Sequence, residues 1–324
     1  MTRLKKILLQ LSSAYSTFHK PSGRENVLLV SSPRSGSTWL TELIHTQGGF
    51  QWCREPFNIR NKFIRDTLGI DSWSNIYDDN SNVIIDEYLM GIASGKLKRK
   101  EYKYPKLFSR FWRFKTDRTV FKILHGCEHR VNHLSELLNA KIIFLIRHPI
   151  PVTISREEYP RLNAFIDSDF SKLLTEDELK YSKSIIEHGS VYEKGMLDWC
   201  LQNVVLLRAK NDNWVFLTYE QLVLEPEKII NIICEQFNFA HPERMLKTIH
   251  KPSGSTGKSV KKTQEFFEDA QKRRENSEWL IKKWKAKISD SEEEKLMKVL
   301  NVFNIDIYKT GFFEPDNRYY LNKD

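Results

Sequence analysis

The sequence predicts an α/β fold with a central parallel sheet flanked by helices. Two observations carry this. Four short apolar runs of the buried-strand type, NVLLVS (26–31), TVFKIL (119–124), KIIFLI (141–146) and WVFLTY (214–219), are spread along the chain. Each leads into a segment with helical apolar spacing instead of a hairpin turn. Strands alternating with helices favour parallel pairing with helices on the faces. In such sheets, ligands bind outside the carboxyl ends of the strands.

The elements follow in order. The N-terminal MTRLKKILLQL starts basic, but Gln10 breaks its apolar part. Residues 1–22 are therefore expected to form a helix or an arm, not an export signal. After the first strand, SSPRSGSTWL (31–40) makes a Gly/Ser-rich turn into the amphipathic WLTELIHTQ. NHLSELL follows the second strand as a short helix. The third strand breaks at Arg147-His148-Pro149 and leads into a helix expected around VTISREEY. Beyond the fourth, EPEKIINIICEQF starts with Glu225, Pro226 and Glu227, where a helix favours acids and proline. Residues 48–118 and 156–213 lack clear strand alternation and are expected to be helical inserts that wall an acceptor site. No Pro/Gly-rich linker divides the chain, so residues 1–324 are read as one domain.

Composition narrows the function. With 324 residues, 40% of them hydrophobic and 12% aromatic, the chain can fill a sizeable core. It has no run of eighteen apolar residues, so no transmembrane helix is expected. Cys53, Cys127, Cys200 and Cys234 are far apart and lack metal-ligand spacing. They are expected to be reduced thiols in a cytoplasmic protein. The net charge of +9 favours anionic partners. Ten Lys or Arg residues lie between Lys96 and Arg118, against Glu101 and Asp117, interleaved with aromatic residues. That stretch is either a solvated surface with aromatic anchors or a groove for an anionic acceptor. It contains no recognised nucleic-acid motif, and no specific nucleic acid is expected as a partner.

The 31–40 turn resembles a phosphate cradle but lacks the lysine of a nucleoside-triphosphate loop, since Gly36 is followed by Ser37 and Thr38. Gly-Lys-Ser does occur at 257–259, yet Pro252 stands where that loop needs its first glycine. The third strand ends in Arg147, where a magnesium site would place Asp. These substitutions favour direct phosphate binding and count against kinase or ATPase chemistry. Gly36 lets the backbone approach an anion, and Ser35, Ser37 and Thr38 add hydroxyls. Arg34 crowns the loop, and the helix start offers unpaired N–H groups. Arg147 and Ser155, eight residues apart in RHPIPVTIS, form a second candidate clamp. Two phosphate sites at strand ends suit a nucleotide phosphorylated on two ribose carbons.

On these motifs the chain resembles the sulfotransferases that use 3′-phosphoadenosine-5′-phosphosulfate (PAPS). PRSGSTWL (33–40) is similar to the family's 5′-phosphosulfate loop, in the Arg34 form of carbohydrate and many bacterial members. IRHPIPVTIS (146–155) is similar to the 3′-phosphate motif, with Arg147 and Ser155 matching its ligands. WVFLTYEQLVLEPEKII (214–230) resembles the family's strand-plus-Tyr-Glu segment, which implies Tyr219 near the adenine. The resemblance implies a P-loop-like nucleotide-binding core, donor contacts from residues 34–38 and Trp39, and adenosine 3′,5′-bisphosphate as product. HKPSGSTGKS (250–259) occupies the place of a cofactor-covering loop, where Lys251, Ser253 and Lys258 suit phosphate contact. The Arg-Lys-Gly and Gly-x-Trp signature of small-molecule members is absent from that loop.

Sulfuryl transfer to a hydroxyl or amine needs a cation where the leaving oxygen gains charge, which Arg34 can supply. It also needs a base. Glu55, in WCREPFNIR, sits in the Glu-Pro setting of carbohydrate-type members. His125 is the alternative base and would act with Lys122, although the family's spacing is two residues rather than three. His125, Cys127 and His129 show no fourth ligand, so no metal is expected. The Arg34 loop, the Glu-Pro element and the basic insert point to a glycan or glycoconjugate acceptor. The competing readings are a Mg²⁺-dependent kinase with a degenerate loop and a nucleic-acid-binding module.

Overall fold

The computed structural model describes residues 17–97, 112–249 and 277–321, with Leu8, Leu107 and Lys251 in addition. Its strands in chain order are β1 (Phe18–His19), β2 (Asn26–Ser31), β3 (Phe50–Arg54), β4 (Lys115–Thr116), β5 (Arg118–Ile123), β6 (Ala140–Ile146) and β7 (Val215–Thr218). Five of them form one sheet, in the order β3-β5-β2-β6-β7, and every pair is parallel. β1 and β4 form a separate parallel ladder of two residues each.

Both faces of the sheet are buried, and the alternation of side chains divides them. Leu28, Val30, Phe121, Ile123, Phe144 and Ile146 face one core, covered by helices Pro149–Thr153, Val191–Ala209 and Asp290–Val302. Val27, Leu29, Val120, Ile143, Leu145 and Leu217 face the other, covered by helices Ser37–Ile44, Pro226–Gln236 and Pro242–Ile249. The strands therefore read as continuous apolar runs, which is why the sequence reveals them.

The structure corrects the sequence reading in two places. Residues 48–118 are not wholly a helical insert, because Phe50–Arg54 is the edge strand β3. Gln51 and Arg54 interrupt its apolar pattern; the Arg54 guanidinium lies 3.5 Å from the centroid of the Trp52 ring. The helix expected around VTISREEY is also shorter, spanning Pro149–Thr153. Ser155 Oγ donates to Val152 O at 2.8 Å, and Tyr159 Oη donates to Thr153 O at 3.0 Å. Arg156 pairs with buried Asp198, turning the chain away from the helix axis. Within 156–213, helices Leu162–Ile166, Glu176–His188 and Val191–Ala209 follow.

Candidate active site

The chain leaves β2 toward β3 on one side and β6 toward β7 on the other, so the carboxyl ends of β2 and β6 bound a crevice of the ligand-binding kind. Arg34 and Arg147 follow those two strands. Across the crevice, Arg147 Nη1 donates to Arg34 O at 3.0 Å. The Arg147 guanidinium also lies 4.1 Å from the centroid of the Tyr219 ring. A cation over an aromatic face is attracted by the ring, which helps fix its position. Burial raises the pKa of Tyr219, and Arg147 opposes that rise.

The loop itself is held from within. Ser32 and Ser35 hydroxyls lie 2.7 Å apart, and Ser35 is fully buried. Exposed Arg34 has φ 72, a left-handed conformation that side chains rarely adopt. Strain of that kind collects at functional sites. Gly36, with φ 88, precedes the helix Ser37–Ile44. Trp39 packs 6.1 Å from Tyr219, ring centroid to centroid, and its Nε1 donates to Ile249 O at 3.2 Å.

Glu55, Lys122 and His125 converge at the ends of β3 and β5. Lys122 Nζ donates to Thr38 Oγ1 at 2.9 Å and pairs with Glu55 Oε1 at 3.5 Å. Glu55 Oε2 accepts from Asn58 Nδ2 at 3.0 Å and lies 3.9 Å from His125 Nε2. The three-residue spacing of Lys122 and His125 is accommodated because β5 stops at Ile123 and Gly126 turns at φ 116. Glu55, like Arg34, is a non-glycine residue with positive φ, at 49. Its N–H donates to Lys122 O at 2.9 Å, which fixes the bend. Trp73 lies 5.6 Å from His125 between ring centroids.

Behind the crevice lies a polar layer that no local motif announces. Glu220 is buried; its Oε1 accepts from His148 N at 3.0 Å and its Oε2 from Tyr308 Oη at 2.7 Å. Burial pushes the Glu220 carboxyl up, and Arg147 opposes this. The His148 ring stacks on Trp284 at 4.9 Å, and burial with neighbouring Arg147 lowers its pKa to about 3. Lys283, next to Trp284, is lowered to about 8 by burial and then by Arg147. The segment holding Trp284 and Tyr308 thus backs the Arg147 turn, across more than 130 residues of sequence.

Other candidate residues are less gathered. Ser155 uses its hydroxyl on Val152 O at 2.8 Å, capping the short helix. Lys251 is exposed beyond helix Pro242–Ile249, whereas Ser253 and Lys258 lie outside the described residues. So does much of the basic 96–118 stretch. The HGCEH segment disperses: His125 faces Glu55, Cys127 is buried with its thiol pushed up, and His129 packs 5.8 Å from Tyr77. Glu128 instead joins Arg161 at 2.7 Å and Tyr77 at 3.0 Å in a buried network.

Compared with known proteins, residues 24–302 match the sulfotransferase domain family. Among solved structures, the chain is similar to mouse sulfotransferase SULT7A1 complexed with PAP, with 16% identity, coverage of 91% of this chain and 88% of that one, and a TM-score of 0.44. It is also similar to a sulfotransferase domain from the curacin biosynthetic pathway, at 16% identity, 87% and 98% coverage and a TM-score of 0.46. For sulfotransferase STF9 from Mycobacterium avium the values are 11%, 93% and 81%, and 0.41. No curated protein matches the sequence.

Proposed function

Because the chain belongs to the sulfotransferase domain family, we propose that it transfers a sulfuryl group from PAPS to a hydroxyl or amine of an acceptor, a carbohydrate or carbohydrate-containing molecule. The observation that carries this reading is the β2/β6 crevice, where two arginines and a hydroxyl-rich helix start are held on separate strand ends. The residues present fit a bisphosphorylated nucleotide. Arg34, Ser37 and Thr38 suit its 5′ end, and Arg147 with Ser155 its 3′-phosphate. Tyr219 and Trp39 offer aromatic surface for the base, and Lys283 adds a third cation beside Arg147.

When bound, the donor supplies the activated sulfuryl group, and adenosine 3′,5′-bisphosphate remains after transfer. Arg34, Lys122 and the N–H groups at the helix start offset charge on the leaving phosphate oxygen. Lys122 is nearly buried, 3% exposed, so its charge acts with little solvent screening. Glu55 Oε2 takes the proton that the acceptor gives up as its oxygen or nitrogen bonds to sulfur and the bond from sulfur to the leaving phosphate oxygen breaks. Asn58 holds that oxygen in place, and His125 faces it from the acceptor side. The Trp73 ring offers an apolar face beside His125, of the kind on which a sugar ring packs. Fixed cations offset the transferring charge, so the proposal involves no metal. Segment 48–118, which includes β3, and segment 156–213 wall the acceptor in one sulfotransferase domain.

Among the described residues, no helix is long and apolar enough to cross a membrane. A cytoplasmic site of action belongs to the same proposal. Family membership leaves the kinase reading without support, and the nucleic-acid reading does not explain the paired arginines. The test is incubation of the purified protein with radiolabelled PAPS and a panel of neutral and acidic glycans. Label transferred to a glycan is the expected outcome; labelled phenols or peptides with unlabelled glycans would overturn the acceptor class.

A further inference from the structure

A basic cavity of about 310 Å³ opens between helix Pro242–Ile249 and the turn after helix Ser37–Ile44. It is lined by His45, Thr46, Arg113, Arg244, Lys247, Thr248 and Lys251, so among the described residues it has four cations and no carboxylate. Arg244, Lys247 and Thr248 are spaced to share one face of helix Pro242–Ile249, and Lys251 follows the helix end.

The Arg244 end of the cavity lies away from the donor crevice, whereas its Lys251 end follows Ile249, whose carbonyl accepts from Trp39 Nε1 at 3.2 Å. Arg113 precedes β4 and β5, and so stands at the amino ends of the strands. His45 and Thr46 follow the carboxyl end of helix Ser37–Ile44, whose amino end forms the crevice loop. An eight-residue helix sets the two ends ~12 Å apart.

The cavity is built rather than incidental. Arg113 Nη1 donates to Trp112 O at 2.8 Å and its Nη2 to His45 O at 3.2 Å, which anchors the guanidinium. Burial and the nearby Arg244 lower the Arg113 pKa, so two cations are held close against their mutual repulsion. Arg244 Nε is 3.9 Å from Glu243 Oε1, but that oxygen is nearer His241 Nδ1, at 3.3 Å. His45 is kept neutral by burial and by Arg54 and Arg113, and adds no further charge. Thr46 Oγ1 donates to Leu43 O at 2.6 Å, and Thr248 sets a hydroxyl among the cations. Converging guanidinium and ammonium donors match a tetrahedral oxyanion.

We infer that this cavity binds a phosphate or sulfate group, free or on an ester, independently of the donor crevice. The experiment titrates the full chain carrying Arg147→Ala, which disables the crevice, with inorganic phosphate and with glucose 6-phosphate by calorimetry. The same titrations are run with Arg244→Ala and Lys247→Ala added; both side chains are exposed, and unfolding midpoints check that the fold is kept. The inference expects saturable one-to-one binding that weakens about tenfold or more when the two cations are removed. Equal affinity for the two probes assigns the site to a free oxyanion, and tighter glucose 6-phosphate assigns it to an ester; both support the inference. Binding unchanged by the added substitutions, or no saturable binding at millimolar concentrations, would overturn it.

Discussion

A Cβ built on Gly36 would stand 2.6 Å from Cδ2 of Tyr219, closer than real side-chain carbons approach. The loop and the aromatic ring are therefore packed against each other through the one position that lacks a side chain. Gly36 also has φ 88, so alanine there carries conformational strain as well. Gly36→Ala should lower stability by about 1–3 kcal/mol and weaken nucleotide binding, as read by thermal unfolding and calorimetry. Adding Tyr219→Ala should recover part of the stability loss, because it removes the clash but not the strain.

Arg147 joins the two sides of the crevice through Arg34 O and the Tyr219 ring. Arg147→Ala should weaken adenosine 3′,5′-bisphosphate binding by about 1.5–3 kcal/mol, the range for a hydrogen bond to a charged group. Lys283→Ala should weaken it less, because Lys283 acts from the second rank. Calorimetric titration measures both.

Glu55 and His125 are separated by their effect on transfer. Glu55→Gln should keep bisphosphate affinity and slow transfer by about 10²–10⁴-fold, the range for loss of a general base. His125→Ala should cost less, as a group that faces the base without replacing it. Single-turnover transfer measurements decide the matter; a normal rate for Glu55→Gln with a slow His125→Ala would exchange the two roles.

His148 gives the fold a pH dependence of defined sign. Its folded pKa is lowered from 6.5 to about 3, so in that window the unfolded chain binds a proton that the folded chain does not. Stability is therefore full above the ordinary histidine value and lost as pH falls through it. Glu220, raised by burial, works in the opposite direction, so a variant is needed to isolate the histidine. Relative to His148→Asn, the wild type should lose about 2 kcal/mol between about pH 6.5 and about pH 5. Denaturant unfolding at both pH values measures this.

Much of the fold was legible because a sheet buried on both faces must be written in continuous apolar runs. β3 was not, since an edge strand tolerates Gln51 and Arg54. The turn into helix Ser37–Ile44 was visible from Gly36 and its serines, and the Arg147 turn from the strand ending before two prolines. What the sequence could not display were conformations and distant contacts. Nothing in it marks Arg34 and Glu55 as left-handed, and no local pattern links Tyr308 or Trp284 to the turn at His148. The convergence of Lys122 and His125 on Glu55 depended on where β5 ends, a boundary that periodicity leaves open by a residue or two.

On the proposed function, the β2/β6 crevice holds a nucleotide with separate 3′ and 5′ phosphates and needs no metal to do so. The most direct test is calorimetric titration of the purified protein with adenosine 3′,5′-bisphosphate in chelator, beside a titration with ATP and Mg²⁺. The bisphosphate should bind one-to-one without metal, and about tenfold or more weaker in Arg147→Ala. Binding of ATP–Mg²⁺ with none of the bisphosphate would contradict it.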